Sequence, residues 1–259
     1  MKAFFVTLFA LVVSNGSLSA AIIEKAYEYP SGDVVCEGWQ CYDDAIAGKR
    51  PGILVVHQWT GISDHEKEAA HKLAALGYTV LVADIYGKGI RPQPPAAGKE
   101  AGKYKGDRPL LRKRVNDALN ALSQDARTDS SKLAAIGYCF GGTTVIELAR
   151  SGANVKGVVS FHGGLDSPTP SDGKNIKAKV LALHGADDPY VPAKDVAVFE
   201  TEMKTYKVDY ALIQYPGAVH SFTHKAAGND NSKGAAYNAT ADRDSWSRMV
   251  SFLKTTLSR

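Results

Sequence analysis

Short apolar runs alternate with amphipathic segments along the chain, and this alternation predicts the secondary structure. Apolar, β-branched runs are typical of strands buried in a parallel sheet, and apolar residues spaced three and four apart are typical of helices. The predicted strands are residues 22–29, 34–42, 51–57, 78–83, 133–136, 155–161, 179–183 and 210–215. The predicted helices begin near residues 64, 110, 143, 193 and 242. This alternation favours an α/β fold with a doubly wound, mostly parallel sheet flanked by helices.

Two stretches depart from the alternation. Residues 30–33, with the sequence Pro-Ser-Gly-Asp, predict a turn that joins the first two strands as a hairpin. Residues 87–107 are rich in proline, glycine, alanine and lysine, and they predict a long irregular loop. Because no internal repeat or linker interrupts the pattern, residues 21–259 are interpreted as a single domain.

The N-terminus has the pattern of a secretory signal peptide. A lysine precedes an apolar core at residues 3–13, and small, polar residues lead to a cleavage position near Ala20 or Ala21. The apolar core is too short to anchor the chain in a bilayer. Residues 1–20 therefore predict a periplasmic or secreted protein with no membrane anchor.

The charge distribution does not indicate a nucleic-acid partner. The formal net charge is +4, and the basic residues are spread along the chain rather than collected into a binding face. The densest basic run is predicted to be a solvated helix face. It contains Lys103, Lys105, Arg108, Arg112, Lys113 and Arg114.

Of the three cysteines, Cys139 lies in a recognisable motif. It is the centre of Gly-Tyr-Cys-Phe-Gly, residues 137–141, between a predicted strand and a predicted helix. This is the nucleophile-elbow pattern, in which a sharp turn exposes the central side chain and requires small neighbours. A helix N-terminus also favours a thiolate. Cys36 and Cys41 fall on opposite faces of a regular strand, and their pairing would need a bulge near Gly38, so a disulfide stays open.

Two further residues lie where the same fold requires them. Asp188 follows a predicted strand and His220 follows the last one, so both are expected at the carboxyl edge of the sheet with Cys139. The order nucleophile, acid, histidine is that of α/β-hydrolases. In such a triad His220 accepts the thiol proton, Asp188 orients the imidazole, and the thiolate attacks an acyl carbon. Asp187 is an alternative acid.

The predicted attack needs hydrogen-bond donors for the oxyanion that forms on the acyl group. The backbone N–H of Phe140, which follows the cysteine, and that of Trp59, after the first central strand, are predicted to supply them. The product of the attack is a thioester acyl-enzyme, which water then hydrolyses.

These motifs resemble those of the dienelactone hydrolase family. The resemblance lies in the cysteine elbow, in Asp188-Pro-Tyr-Val, in His220-Ser-Phe, in Asp84-Ile-Tyr-Gly and in the tail from Ala236 to Trp246. It extends over nearly the whole chain after the predicted signal peptide. It implies an α/β-hydrolase that cleaves small-molecule esters or lactones with a Cys-His-Asp triad. It also implies that the protein needs no cofactor and is a monomer, and no metal site is predicted.

Three positions depart from the family's pattern. A glutamate that contacts the resting thiol in the type enzymes is Gln58 here, and the arginines that bind a substrate carboxylate correspond to Lys88 and His224. These three residues are the predicted substrate-binding positions. Because Gln58 carries no charge, Cys139 is expected to rest partly as a thiolate paired with His220. Lysine and histidine in place of arginine predict a weaker preference for anionic substrates.

Two other functions stay open from the sequence. A non-catalytic member of the fold would bind a small ligand or a partner protein, although it would have no need of all three triad groups. A redox-active thiol protein would pair Cys139 with Cys36 or Cys41, but the chain has no Cys-x-x-Cys motif. The sequence determines neither the natural substrate nor whether the Asn238-Ala-Thr sequon is glycosylated.

Overall fold

The computed structural model describes residues 21–258, so the predicted signal peptide lies outside the described residues. The strands are β1 Ile22–Ser31, β2 Val34–Asp43, β3 Arg50–Val56, β4 Thr79–Ala83, β5 Thr128–Tyr138, β6 Gly157–Phe161, β7 Lys179–Gly185 and β8 Tyr210–Tyr215. The helices are α1 Asp64–Ala75, α2 Ala96–Gly106, α3 Arg108–Gln124, α4 Phe140–Arg150, α5 Ala193–Thr205 and α6 Ala239–Leu257. None of these helices combines the length and the apolar character needed to cross a membrane.

All eight strands form one sheet, in the order β1-β2-β4-β3-β5-β6-β7-β8. Strands β3 to β8 are parallel, whereas β2 runs antiparallel to β4, and β1 runs antiparallel to β2. The prediction of a mostly parallel sheet with an N-terminal hairpin is confirmed. Because parallel strands end at the same edge of a sheet, the residues that follow β3 to β8 are brought together there.

Alternate residues of the central strands pack on opposite faces of the sheet. In β3, Leu54 and Val56 belong to the core beneath α2, α3, α4 and α5, and Ile53 and Val55 belong to the core beneath α1 and α6. All four side chains are fully buried. Burial of an aliphatic side chain of this size contributes about 1.5–3 kcal/mol to stability. The edge that carries the strand ends is therefore held between two packed helical layers.

The prediction of an irregular loop over residues 87–107 is wrong in its second half, where α2 occupies Ala96–Gly106. The buried residues of this helix are Ala97, Ala101 and Tyr104, four and three positions apart, which is the spacing of one helix face. The glycines between them lower the helix propensity. Packing of the buried face outweighs that cost.

The sequence predicts that the basic run forms a solvated face, but in the structure only part of this run is solvated. Arg108 and Arg114 are buried, and Arg108 pairs with Asp166. Arg112 pairs with Glu147, whose carboxylate is fully buried. These guanidinium groups hold α3 against its neighbours, and the prediction is wrong for the arginines.

Cys36 and Cys41 are both free and buried. They lie in β2, whose pairing with β1 is regular through Gly38. Cys36 packs in the core beneath α3, and Cys41 packs in the core beneath α1. Because the two thiols lie on opposite faces of the sheet, they cannot form a disulfide without a rearrangement of the strand. Burial raises the pKa of the Cys36 thiol to about 11.

Candidate active site

A strained turn between β5 and α4 places Cys139 at the carboxyl edge of the sheet. Cys139 has a φ of 55°, in the left-handed region that residues other than glycine seldom adopt. A Cβ atom at Gly137 would collide with the backbone of Gly141, and one at Gly141 would collide with the carbonyl group of Val56. Only glycine lets the turn close this tightly, as the nucleophile-elbow pattern requires.

The imidazole of His220 lies between Cys139 and Asp188. Its Nε2 is 3.0 Å from Cys139 Sγ, and its Nδ1 is 2.8 Å from Asp188 Oδ2. The Asp188 side chain is fully buried, and its Oδ1 accepts a 2.8 Å hydrogen bond from the backbone N–H of Tyr190. Asp187, the alternative acid, is exposed. The structure thus brings Cys139, His220 and Asp188 into one hydrogen-bonded chain.

The protonation of the thiol is coupled to that of the imidazole. Burial opposes the charged form of Cys139, but the positive charge of His220, its hydrogen bond to the sulfur and the backbone N–H of Phe140 together lower the pKa of the thiol. Burial also opposes the charging of His220, but the thiolate and the Asp188 carboxylate raise the pKa of the imidazole to about 10. These opposite shifts favour a resting thiolate–imidazolium pair.

Cys139 borders a cavity of about 370 Å³, which we name the cysteine cavity. Phe140 also borders it, and as the first residue of α4 it has a backbone N–H without an acceptor in the helix. Trp59 lies at the same cavity, and its carbonyl group accepts a 2.9 Å hydrogen bond from the Tyr86 hydroxyl, which fixes the loop after β3. The cavity is lined by Trp59, Ala101, Lys105, Cys139, Phe140, Thr143, Gly164, Tyr190, Val191, His220, Ser221 and Ala235.

This fold and site agree with the match of the chain, over residues 41–257, to the model of the dienelactone hydrolase family. The chain belongs to the dienelactone hydrolase family. It is therefore a hydrolase with the α/β-hydrolase fold, as its solved structural neighbours also indicate.

Several known proteins resemble this chain over most of its length. A protein of Synechocystis sp. named "Putative carboxymethylenebutenolidase" is 27% identical over 230 residues, which cover 83% of this chain and 90% of the relative. A Bradyrhizobium protein named "Probable 2-oxo-3-(5-oxofuran-2-ylidene)propanoate lactonase" is 29% identical over 220 residues, covering 81% of this chain and 85% of the relative. The crystal structure of a dienelactone hydrolase-like promiscuous phosphotriesterase from metagenomic libraries matches this chain with a TM-score of 0.87 and 38% sequence identity. That match covers 92% of this chain and 99% of the other.

In this dienelactone hydrolase-family enzyme, the predicted substrate-binding residues do not border the cysteine cavity. The Lys88 ammonium pairs with Glu28 and Glu37 on the β1–β2 hairpin. Gln58 Nε2 lies 3.5 Å from His224 Nδ1, so the two side chains meet each other rather than the thiol. The hairpin carboxylates thus hold the Lys88 ammonium in this structure. The role of Gln58, Lys88 and His224 in substrate binding stays a prediction.

Lys105 is a cation of the cysteine cavity, although the sequence predicts a solvated face for it. A Cβ atom placed on Gly164, another lining residue, would lie 3.7 Å from Lys105 Nζ. The charge of Lys105 also contributes to the lowered pKa of Cys139. Lys103, two positions earlier in α2, pairs with Glu100, whereas no ion pair of Lys105 is found within residues 21–258. Lys105 was missed because the whole basic run was predicted to be solvated.

A second cavity, of about 210 Å³, contains two neutral histidines, and we name it the histidine cavity. Burial, together with the charge of the neighbouring His224, lowers the pKa of His65 to about 4. Burial also lowers the pKa of His224. The lining residues are Asp64, His65, Glu68, Ala69, Lys72, Tyr138, Phe161, Thr223, His224, Lys225, Ala226, Asp242 and Trp246. In the described part of the chain, no group of three or more His, Cys, Asp or Glu side chains is arranged to hold a metal ion.

Proposed function

We propose that this protein hydrolyses carboxylic esters or lactones through Cys139, His220 and Asp188 and a thioester acyl-enzyme. The observation that supports this most directly is the hydrogen-bonded chain, 3.0 Å from Cys139 Sγ to His220 and 2.8 Å from His220 to Asp188. It borders a cavity of about 370 Å³, a size suited to a small molecule. The names of two relatives, a carboxymethylenebutenolidase and a lactonase, agree with a lactone substrate.

In the first half-reaction, the Cys139 thiolate attacks the acyl carbon and forms a carbon–sulfur bond. The electron pair of the carbonyl π-bond moves to oxygen, where the backbone N–H groups of Phe140 and Trp59 stabilise the negative charge. As the tetrahedral intermediate collapses, the bond to the leaving oxygen breaks and the His220 imidazolium donates a proton to that oxygen. An ester releases an alcohol at this step, whereas a lactone opens and keeps its hydroxyl group on the acyl chain.

In the second half-reaction, water hydrolyses the thioester. Neutral His220 takes a proton from the water as the oxygen attacks the acyl carbon. Collapse of the new intermediate breaks the carbon–sulfur bond and restores both the thiolate and the imidazolium. Asp188 holds the Nδ1–H tautomer of His220 and stabilises its positive charge in both halves.

Lys105 gives the cysteine cavity a preference for substrates that carry a negative group. Most of the other lining residues are apolar or aromatic, as Trp59, Tyr190 and Val191 illustrate. An ammonium group beside an apolar wall binds a carboxylate as a point charge. The substrate class that fits best is a small ester or lactone with an apolar body and one anionic group.

Turnover of p-nitrophenyl acetate by the mature protein tests this function. Steady turnover is expected in the native protein and is expected to fall by about a hundredfold or more in Cys139→Ala, with the melting temperature preserved. Cys41→Ala removes a buried thiol in another part of the sheet, and its turnover is expected to stay within about twofold of native. Native-like turnover in Cys139→Ala would refute the nucleophile. Tight ligand binding with no turnover in any form would favour the non-catalytic alternative.

A second candidate substrate class is the neutral phosphotriesters. The observation that favours it is the 38% identity, over 92% of this chain, to the structure of a promiscuous phosphotriesterase. The same thiolate would attack phosphorus instead of an acyl carbon. Release of p-nitrophenol from a dialkyl p-nitrophenyl phosphate, absent in Cys139→Ala, is the expected result, and equal release by both proteins would exclude it.

We also propose that the enzyme acts after export, on the basis of the signal-peptide pattern in residues 1–20. The N-terminal sequence of the protein isolated from its source tests this. A mature chain that begins near Ala21 is expected, and a chain that still begins at Met1 would contradict it.

A further inference from the structure

A buried histidine lies between the two cavities, and the mechanism described above does not use it. His162 directly follows β6, and its side chain is fully buried. Its Nδ1 is 3.2 Å from the backbone nitrogen of Cys139, which lines the cysteine cavity. Its Nε2 is 2.8 Å from Oγ1 of Thr223, which lines the histidine cavity. With a φ of 40°, His162 is held in a backbone conformation that is unusual for its residue type.

These contacts determine the tautomer of His162. A backbone N–H can only donate, so Nδ1 of His162 accepts from Cys139 and carries no proton. The ring proton is then on Nε2 and is donated to Oγ1 of Thr223. The threonine hydroxyl is left to donate elsewhere, and Nε2 of His65 lies 3.5 Å away. The hydrogen bonds therefore run in one direction, from Cys139 through His162 and Thr223 towards His65.

The geometry points to a role for this chain of contacts. We propose that His162 is a positioning residue that sets the distance between Cys139 and His220 by joining the backbone of the cysteine elbow to the loop that carries the base. This inference rests on the proposed function, because it concerns the alignment of the same two reacting groups.

We call the contacts from Cys139 through His162 to Thr223 the bridge. Both of its ends lie in segments with unusual backbone conformations. Cys139 has a φ of 55°, and its N–H is shared between His162 and the carbonyl group of Phe161, 3.0 Å away. At the other end, Thr223 lies three residues after His220, and the intervening Ser221 has a φ of 57°. The rings of His162 and His220 also pack at a centroid distance of 5.3 Å. His162 therefore touches the nucleophile's backbone, the base's loop and the base itself.

The charge of His162 fits this role. Burial lowers its pKa well below the ordinary value, and the neighbouring His220, His65 and His224 lower it further. A neutral ring keeps the lone pair on Nδ1 that accepts from Cys139. It also adds no second positive charge beside the His220 imidazolium.

Substitutions at the two ends of the bridge test the inference. In His162→Asn the amide oxygen replaces Nδ1 and still accepts from Cys139, but it does not reach Thr223. Thr223→Val removes the hydroxyl group and keeps the shape of the side chain. We expect each variant to lower kcat for p-nitrophenyl acetate about tenfold with KM within about twofold, because alignment is lost and the binding surface is kept. Thr223→Ser, which keeps the hydroxyl group, is expected to retain more than about half of the native kcat.

The double variant His162→Asn/Thr223→Val separates a shared bond from two independent effects. Both substitutions remove the same hydrogen bond, so the double variant is expected to be no slower than the slower single variant. Losses that multiply would overturn the inference. Thr79→Val removes a buried hydroxyl group that bonds Arg50 at another part of the sheet, and it is expected to keep the native kcat. A lower melting temperature with native kcat in Thr223→Val would show that the contact only stabilises the fold, and the inference would be wrong.

Two measurements do not depend on turnover. The ¹⁵N NMR shifts of His162 in the native protein are expected to show the proton on Nε2, and a proton on Nδ1 would overturn the inference. Thr223→Val is expected to slow the alkylation of Cys139 by iodoacetamide near neutral pH, because the thiolate is less well paired with His220; an unchanged rate would count against the bridge. If Cys139→Ala kept native turnover while both expectations held, the proposed function would fail and the bridge would stand.

Discussion

The cysteine cavity and the histidine cavity lie at the same edge of the sheet, and both contain histidine, yet they give that residue opposite properties. In the cysteine cavity His220 lies between a thiol and a buried carboxylate, and its pKa is raised. In the histidine cavity burial lowers the pKa of both His65 and His224. Burial opposes the charged imidazole in all three cases. What differs is a pair of anionic neighbours in hydrogen-bond contact with His220.

The comparison shows that a histidine after a parallel strand is not by itself a catalytic base. The position after the strand is supplied by the fold, whereas the charge is supplied by the partners on adjacent loops. His162, between the cavities, is also fully buried, but its hydrogen-bond partner Thr223 is a neutral hydroxyl group. Of the four histidines at or between the two cavities, His220 is the one whose partners make it positive at neutral pH.

The largest effect on kcat is expected when one member of the hydrogen-bonded chain of Cys139, His220 and Asp188 is removed. Cys139→Ala, His220→Ala and Asp188→Asn are each expected to lower kcat for p-nitrophenyl acetate by about a hundredfold or more. His65→Ala makes a comparable change in the histidine cavity and is expected to stay within about threefold of native. Steady-state kinetics with melting temperatures measures both, and equal losses in the two cavities would remove the distinction between them.

The next effect concerns the pH at which the Cys139 thiolate forms. Because the pKa of the thiol is lowered, the thiolate is present above that lowered value and is lost as the pH falls through it. The rate of iodoacetamide alkylation is expected to rise with pH through a midpoint below the free-cysteine pKa of about 8.5. Asp188→Asn removes the carboxylate that stabilises the His220 imidazolium. This variant is therefore expected to move the midpoint of alkylation upward.

A native midpoint at or above the free-cysteine value would contradict the ion pair. The other two cysteines provide an internal control in the same experiment. Cys36 and Cys41 are buried and border neither the cysteine cavity nor the histidine cavity, so they are expected to react only after the protein is unfolded.

A smaller effect is expected for the charge at the cysteine cavity. Lys105→Met is expected to raise KM about tenfold for an ester with a carboxylate group, which corresponds to about 1.4 kcal/mol, and to leave KM for a neutral ester unchanged. Lys103→Met is the matched control, since Lys103 lies on the same helix and pairs with Glu100. If both variants behave alike, a general surface charge rather than Lys105 attracts the anion.

The smallest effect is expected for two residues that the sequence assigned to substrate binding, His224 of the histidine cavity and its neighbour Gln58. Gln58→Glu and His224→Gln are expected to change kcat/KM and the alkylation midpoint of Cys139 by about twofold or less. The reason is that the Gln58 amide contacts His224 rather than the thiol. A large upward shift of the midpoint in Gln58→Glu would show that residue 58 does reach the thiol.

The sequence predicted those parts of the site that depend on strand ends. Apolar, β-branched runs identify the strands, and parallel strands end at one edge, so Cys139, Asp188 and His220 are expected to converge even though they are far apart in the chain. The glycines around Cys139 add a local reason for the turn. These two signals were sufficient to predict the fold and the convergence of Cys139, Asp188 and His220.

The parts that the sequence did not predict depend on contacts between distant segments. Lys88 lies beside a predicted strand end, but the carboxylates that hold it come from the N-terminal hairpin. Lys105 reaches the cysteine cavity through a glycine-containing helix whose stability depends on tertiary packing. His162 and Thr223 are 61 positions apart, and nothing in either local sequence indicates that they meet.

The wide separation of Cys139 and His220 has a consequence for the nascent chain. The two residues are 81 positions apart, and the base is supplied only after the last strand of the sheet has been made. Until β8 docks, the thiol has neither its imidazolium nor its complete cavity, so we expect it to behave as an ordinary, weakly nucleophilic cysteine. In a refolding time course, rapid alkylation near neutral pH is expected to appear only with the native fold, and rapid alkylation of the unfolded chain would contradict this. Synthesis order alone then delays the reactivity of the thiol until the protein is complete.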